Sequence, residues 1–274
     1  MKVLDLFSGI GGFSLGLERA GFETVALCEF DKKAQLVLKK HWPNIPIYDD
    51  VKTLTQEILQ NDGINEIDII CGGFPCQDIS YAGKGAGLAG ERSGLWVEFH
   101  RLIKEIQPKY AIIENVSAFR SRGLDEVLRS LAEIGYDAEW HCIPASAVGA
   151  PHRRDRVWIV AYPKSIGDRR ALRSVCESDD SQWQKTSSKF INAGEYTSIL
   201  ANPVCEGLEG QRSLSSRISE ELENARNSCG WAIEPDVGRV AHGVSGRVDR
   251  IKQLGNAVVP QIPELIGRTI IKKG

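Results

Sequence analysis

The chain has 274 residues, enough for one large α/β domain with a smaller appendage. Its 42% hydrophobic and 26% charged residues match an ordinary soluble protein rather than a disordered or membrane chain, and no 18-residue apolar run marks a membrane span. The net charge of −2 does not announce a nucleic-acid binder, but residues 1–150 carry 15 basic and 21 acidic groups, and residues 151–274 carry 19 and 15. The basic excess is sharpest at Arg153, Arg154, Arg156, Lys164, Arg169, Arg170 and Arg173, which is either a phosphate-facing stretch or a solvated face.

The chain opens on a strand-like segment rather than a signal peptide, so a cytoplasmic protein is expected. Seven cysteines, with no C-x-x-C and no paired Cys/His spacing, predict neither disulfides nor a structural metal.

Strand-like and helix-like runs alternate over the first 160 residues, which predicts a mainly parallel sheet covered by helices. Val3–Phe7 reads as the first strand, and Phe13–Ala20 as the helix after it. Between them Asp5-Leu6-Phe7-Ser8-Gly9-Ile10-Gly11-Gly12 leaves a strand and enters a helix, as nucleotide-type sites do. Ser14 stands where G-x-G-x-x-G would have its third glycine, so a plain structural turn stays open. Thr24–Glu29 is the second strand, and Glu29, about 20 positions beyond the first glycine, suits a ribose diol. The helix Asp31–His41 and the short segment Ile45–Tyr48 lead to Asp50, read either as a contact for an adenine edge or as a helix cap. The helix Leu54–Gln60 follows.

The next strand, Ile67–Cys71, runs into Gly72-Gly73-Phe74-Pro75-Cys76-Gln77-Asp78, which places Cys76 in a loop at the carboxyl edge of the sheet, where open α/β sheets bind ligands. Gly83, Gly85, Gly87 and Gly90 look built to move, whereas Cys28 and Cys71 read as apolar filler. After the helix Leu95–Ile106, the strand Tyr110–Glu114 brings a carboxyl to the same edge. The helix Leu124–Ile134 precedes two late strands, Glu139–Ile143 and Arg156–Tyr162, read as a hairpin. Alternation along the last strand predicts that Arg154 and Arg156 share a face. Beyond Tyr162 periodicity fades in a stretch rich in Ser, Asn, Gly, Arg and Glu, and it returns in a closing helix over Asn256–Lys273.

Five segments in order resemble the cytosine-5 DNA methyltransferase family: Asp5–Gly12, Phe74-Pro75-Cys76-Gln77, Glu114-Asn115-Val116, Arg153–Arg156 and Gln253-Leu254-Gly255-Asn256-Ala257-Val258. The resemblance runs over nearly the whole length apart from about 164–238. It implies a Rossmann-like mixed sheet with helices on both faces plus a small irregular target-recognition domain. It also implies a catalytic domain over 1–163, a target-recognition region over 164–238, and a segment 239–274 that packs back on the first.

The family resemblance implies an S-adenosylmethionine pocket lined by Phe7, Gly9, Ile10, Gly11, Gly12, Glu29, Phe30, Asp50, Val51, Pro75, Leu95, Asn256, Ala257 and Val258. Cys76 would be the nucleophile, Glu114 would engage ring nitrogen 3, and Arg154 and Arg156 would hold the base and its phosphate. Gln77, Ser80, Asn115 and Arg153 are expected to contact DNA. Two positions depart from the pattern: His152 stands where the family usually has Gln, and Phe30 where Trp is common. The implied partner is double-stranded DNA, met by a monomer with no metal and no membrane. An RNA cytosine-5 methyltransferase acting on transfer RNA, or a non-catalytic DNA-binding protein on the same scaffold, are the competing readings. The large polar insertion favours DNA. Trp183, Arg212, Arg217 and Arg226 are candidate base readers within it.

Overall fold

The computed structural model describes residues 1–75, 94–164 and 253–272. In chain order these form β1 (Lys2–Leu6), α1 (Gly12–Arg19), β2 (Glu23–Cys28), α2 (Lys32–His41), β3 (Ile47–Tyr48), α3 (Gln56–Asn61), β4 (Ile69–Gly72), α4 (Gly94–Ile106), β5 (Tyr110–Val116), α5 (Leu124–Glu133), β6 (Tyr136–Pro144), β7 (Asp155–Pro163) and α6 (Gln261–Ile271).

The strands make one sheet in the order β3-β2-β1-β4-β5-β7-β6. The first five are mutually parallel, and β7 enters antiparallel to both β5 and β6. Strand order reverses at β1, with β2 on one side and β4 on the other, and the carboxyl ends of strands at such a switch point are where open α/β sheets bind ligands in a crevice.

Alternation along β1 explains the two cores. Leu4 and Leu6 join a cluster with Ile70, Phe99, Ile113 and Phe119 on one face of the sheet. Val3 joins Ile69, Ile112, Trp158 and Ile266 on the other. Helix starts follow local chemistry: the Asp31 side chain accepts from Lys33 N at α2, and the Thr55 hydroxyl accepts from Ile58 N at α3. The late hairpin forms as expected, but its strands run nine residues each because ladder pairing extends from Tyr136↔Pro163 to Pro144↔Asp155.

The closing helix does not run unbroken from Asn256. Residues 253–256 make one helical turn, 257–259 belong to no helix, and Pro260 caps α6. Proline disfavours helical geometry in the residue before it and lacks the N–H that would continue the ladder, so Val259-Pro260 breaks the pattern there. The segment returns against α1 through glycines. A Cβ at Gly12 would stand 2.6 Å from the Val258 carbonyl oxygen, and one at Gly16 would stand 2.2 Å from that of Pro260.

Candidate active site

The first wall of the crevice is the loop after β1. Phe7 and Gly9 take the left-handed region at φ 53° and 56°, and Gly11 does so at 86°. Ser8 fastens the loop: its N–H donates to the Cys28 carbonyl (3.0 Å) and its hydroxyl to the Asp5 carbonyl (2.7 Å). Glu29, at the tip of β2, accepts from Gly9 N on one oxygen and from Asp31 N on the other, both at 2.7 Å. Its carboxylate thus latches the loop to β2, and each oxygen keeps a second lone pair for a ligand.

The glycines of this loop do different work. No described atom lies within 4 Å of a Cβ placed on Gly9, which leaves open space for a ligand. Gly11 and Gly12, expected in the cofactor pocket, are instead covered by protein: a Cβ on Gly11 would strike the Trp42 ring at 2.3 Å, and one on Gly12 would strike Val258. Ile10 is half-buried and Phe30 is 77% exposed beside Glu29.

Asp50 closes a turn and does not start a helix, since α3 is capped by Thr55. Its Oδ1 accepts from Lys52 N at 2.9 Å and its carbonyl from Thr53 N and Leu54 N. Val51 is a core residue whose carbonyl accepts from Arg101, and Leu95 packs at the edge of the same core.

Beneath the loop, Asp5 is fully buried. Its Oδ2 accepts from both the hydroxyl (2.7 Å) and the amide (3.2 Å) of Ser14, while Oδ1 has no hydrogen-bond partner among the described residues. Burial pushes its pKa to about 7, against the lowering effect of Ser14. Ser14 in the third-glycine position therefore ties α1 to β1, a role that the departure from G-x-G-x-x-G could have signalled.

The second wall is the loop after β4. Phe74 is buried against Trp96 and Phe119, with ring centroids 5.4 and 5.7 Å away, and Pro75 beyond it is exposed. Cys76, Gln77, Ser80 and the glycines from Gly83 to Gly90 lie outside the described residues, as does the stretch 165–252.

Glu114, near the end of β5, is buried, and its Oε1 stands 2.9 Å from Nε of Arg156. Burial raises its pKa and the two cations Arg156 and Arg154 oppose that rise, with burial prevailing. A Cβ on Gly73 would come within 2.7 Å of Glu114 Oε2, so the residue before Phe74 must be glycine for the carboxylate to sit where it does. Sequence reasoning missed Gly73; the doubled Gly72-Gly73 was its only signal.

Asn115, expected among the DNA contacts, is turned inward and buried. Its Nδ2 donates to the Phe74 carbonyl at 3.1 Å and its Oδ1 accepts from Val116 N, which fixes the loop that precedes Cys76.

Arg154 and Arg156 do not share a strand face. β7 begins at Asp155, and Arg154 before it has φ 36°, outside the extended geometry that alternation requires. Arg156 turns to Glu114, whereas the Arg154 guanidinium donates to the carbonyls of Gly255 (2.6 Å) and Ala257 (2.7 Å). Arg153 is exposed and pairs with Asp155 at 2.9 Å. Asn256 is exposed; Ala257 and Val258 are half-buried.

A glycine-lined loop after β1 and a buried, arginine-paired carboxylate on β5 stand at the carboxyl edge of one sheet, and the sequence that carries them matches a known family. Its model, C-5 cytosine-specific DNA methylase, covers residues 1–227. The chain belongs to this family. Among relatives, the type II methyltransferase M2.BsuMI of Bacillus subtilis is 37% identical over 59% of this chain and 42% of its own length. The type II methylase M.HgiEI of Herpetosiphon aurantiacus is 37% identical over 88% and 58%. The chain thus spans about half the length of the curated relatives it matches.

The same fold also appears in solved structures. A prophage-encoded Escherichia coli protein described as a DNA modification methyltransferase aligns over 99% of both chains with TM-score 0.58 at 19% identity. A mutant of Spodoptera frugiperda DNMT2 aligns over 60% of this chain and 50% of its own with TM-score 0.51 at 24% identity. Membership in a methylase family implies S-adenosylmethionine in general. The site fits such a group, since the space over Gly9 admits backbone approach, the Glu29 carboxylate latches that same loop, and the Phe30 ring next to it in the chain is exposed.

Proposed function

We propose that the protein is a DNA cytosine-5 methyltransferase of the restriction-modification type, working on duplex DNA in the cytoplasm through a covalent bond from Cys76 to the target base. The observation that supports this most strongly is the Glu114–Arg156 pair, held behind Gly73 at the mouth of the loop that leads into Cys76.

Carbon 5 of cytosine is a poor nucleophile. A thiolate from Cys76 adding to carbon 6 would break the 5,6 double bond and push electron density toward carbon 5 and ring nitrogen 3. Glu114, whose burial lets it hold a proton above the usual carboxyl range, is suited to donate at nitrogen 3. Arg156, ion-paired with it, orients the carboxyl and keeps positive charge where density accumulates. Once carbon 5 has gained the methyl group, loss of its proton to solvent, expulsion of the Cys76 thiolate and return of the nitrogen 3 proton to Glu114 would restore the ring. S-adenosylmethionine, held by Phe7, Gly9, Glu29, Phe30 and the Asn256–Val258 segment, supplies an electrophilic methyl group when bound. The target atom lies inside the base stack, so the cytosine must leave the duplex, at about a few kcal/mol.

The test is transfer of labelled methyl to duplex DNA and to transfer RNA side by side, for the wild-type chain and for Cys76→Ser. Methylation of duplex DNA that vanishes in the variant, and trapping of the wild type on a duplex carrying 5-fluorocytosine, are expected. Transfer to RNA alone, or undiminished transfer by the variant, would overturn the proposal.

A further inference from the structure

We infer that Arg154 is a positioning residue for the cofactor side of the crevice, holding the segment Gly255–Val258 against the loop after β1; this rests on the reading of that segment as a cofactor wall. The family pattern had it holding the base, yet its guanidinium forks onto two backbone carbonyls, Gly255 at 2.6 Å and Ala257 at 2.7 Å. These carbonyls lie at the end of the helical turn over 253–256 and just after it, where Ala257 N donates to the Gln253 carbonyl. A cation there satisfies carbonyls that the turn itself leaves open.

Among the described residues, little packing holds this turn in place. Leu254 is 67% exposed, Gly255 and Asn256 are exposed, and no described atom lies within 4 Å of a Cβ built on Gly255. Among the described residues, its anchors are the Arg154 fork at one end and the Val258 carbonyl against Gly12 at the other. Arg154 also sits at φ 36°, an unfavourable backbone for a long side chain, and the two charge-assisted bonds offset that cost. The stretch Arg154–Arg156 therefore serves both sides of the crevice: Arg156 holds Glu114, and Arg154 fixes the wall that carries Asn256.

The test compares Arg154→Ala and Arg154→Lys with the wild type in calorimetric binding of S-adenosylmethionine and in hydrogen exchange of the 253–258 amides. Loss of two bonds from a charged donor should weaken cofactor binding by about tenfold or more in Arg154→Ala. Exchange at Ala257 should accelerate in parallel. Arg154→Lys should fall between, because one ammonium cannot span both carbonyls as a fork does; it also serves if the alanine variant fails to fold. Unchanged exchange in both variants, or unchanged cofactor affinity with duplex binding lost together with part of its salt dependence, would overturn the inference. A wild type that binds no S-adenosylmethionine would sink the cofactor reading instead, and the exchange data would still decide whether the clamp exists.

Discussion

Arg156 Nε lies 2.9 Å from Glu114 Oε1, with the two side chains 21% and 11% exposed, so each partner spends most of its surface on the other and on the protein. Removing the cation should raise the Glu114 pKa further, since Arg156 is the largest influence holding it down. In Arg156→Ala the limb of the kcat profile that reports Glu114 ionisation is therefore expected at higher pH, alongside a turnover loss of about 100-fold. Glu114→Gln should lose turnover on a similar scale and show no such limb. A limb that stays put in Arg156→Ala would mean the pair does not set the proton affinity of the site.

Asp5 carries a different pH dependence, one of stability. Its pKa rises from 3.8 to about 7 on folding, so the folded chain binds more protons than the unfolded one across that interval. Stability contributed by the protonated carboxyl is full below about pH 4 and is lost as pH rises through about 7, amounting to about 4 kcal/mol at most. Asp5→Asn keeps an oxygen for the Ser14 hydroxyl and amide but cannot ionise. Urea midpoints for the wild type should therefore decline between pH 5 and 8 more steeply than those of Asp5→Asn. Parallel declines in the two proteins would remove Asp5 as the cause.

The sheet was legible because β1, β2, β4 and β5 are apolar runs bounded by turn residues, and such runs declare themselves locally. The break before α6 was also written in Val259-Pro260, but the helical spacing on either side of it masked the signal. What could not be read was contact between distant segments. Nothing local says that Gly11 lies under Trp42, that Asn115 reaches back to Phe74, or that Arg154 grips carbonyls a hundred residues away. A motif names residues that stay together in a site; it does not say which of them touch the ligand and which hold the others in place.

Phe30 is proposed as one of the first kind. At 77% exposure beside Glu29 it contributes little to the core, so Phe30→Ala should leave the thermal midpoint unchanged within about 0.5 kcal/mol of stability. Stacking of an aromatic ring on an adenine is worth about 1 kcal/mol, which predicts a loss of S-adenosylmethionine affinity of about fivefold. Calorimetric titration checks the affinity and thermal denaturation checks the fold. An unchanged dissociation constant would take Phe30 out of the pocket.

Gly16 belongs to the second kind, and intrinsic preference and packing make opposite forecasts for it. On helix propensity alone Gly16→Ala, in the middle of α1, should stabilise the chain by about 1 kcal/mol. The added methyl, however, would sit 2.2 Å from the Pro260 carbonyl oxygen, 2.7 Å from Pro263 Cγ and 3.0 Å from Glu264 N. Two of these are backbone atoms at the start of α6, which cannot rotate away, so α6 must shift off α1. Overpacking of this kind costs about 1–3 kcal/mol and should outweigh the propensity gain. The same shift would draw Val258 away from Gly12, so cofactor affinity should fall together with the urea midpoint, although Gly16 lies a full helical turn from the crevice loop. A more stable Gly16→Ala would show that the two helices are not pressed together through this residue.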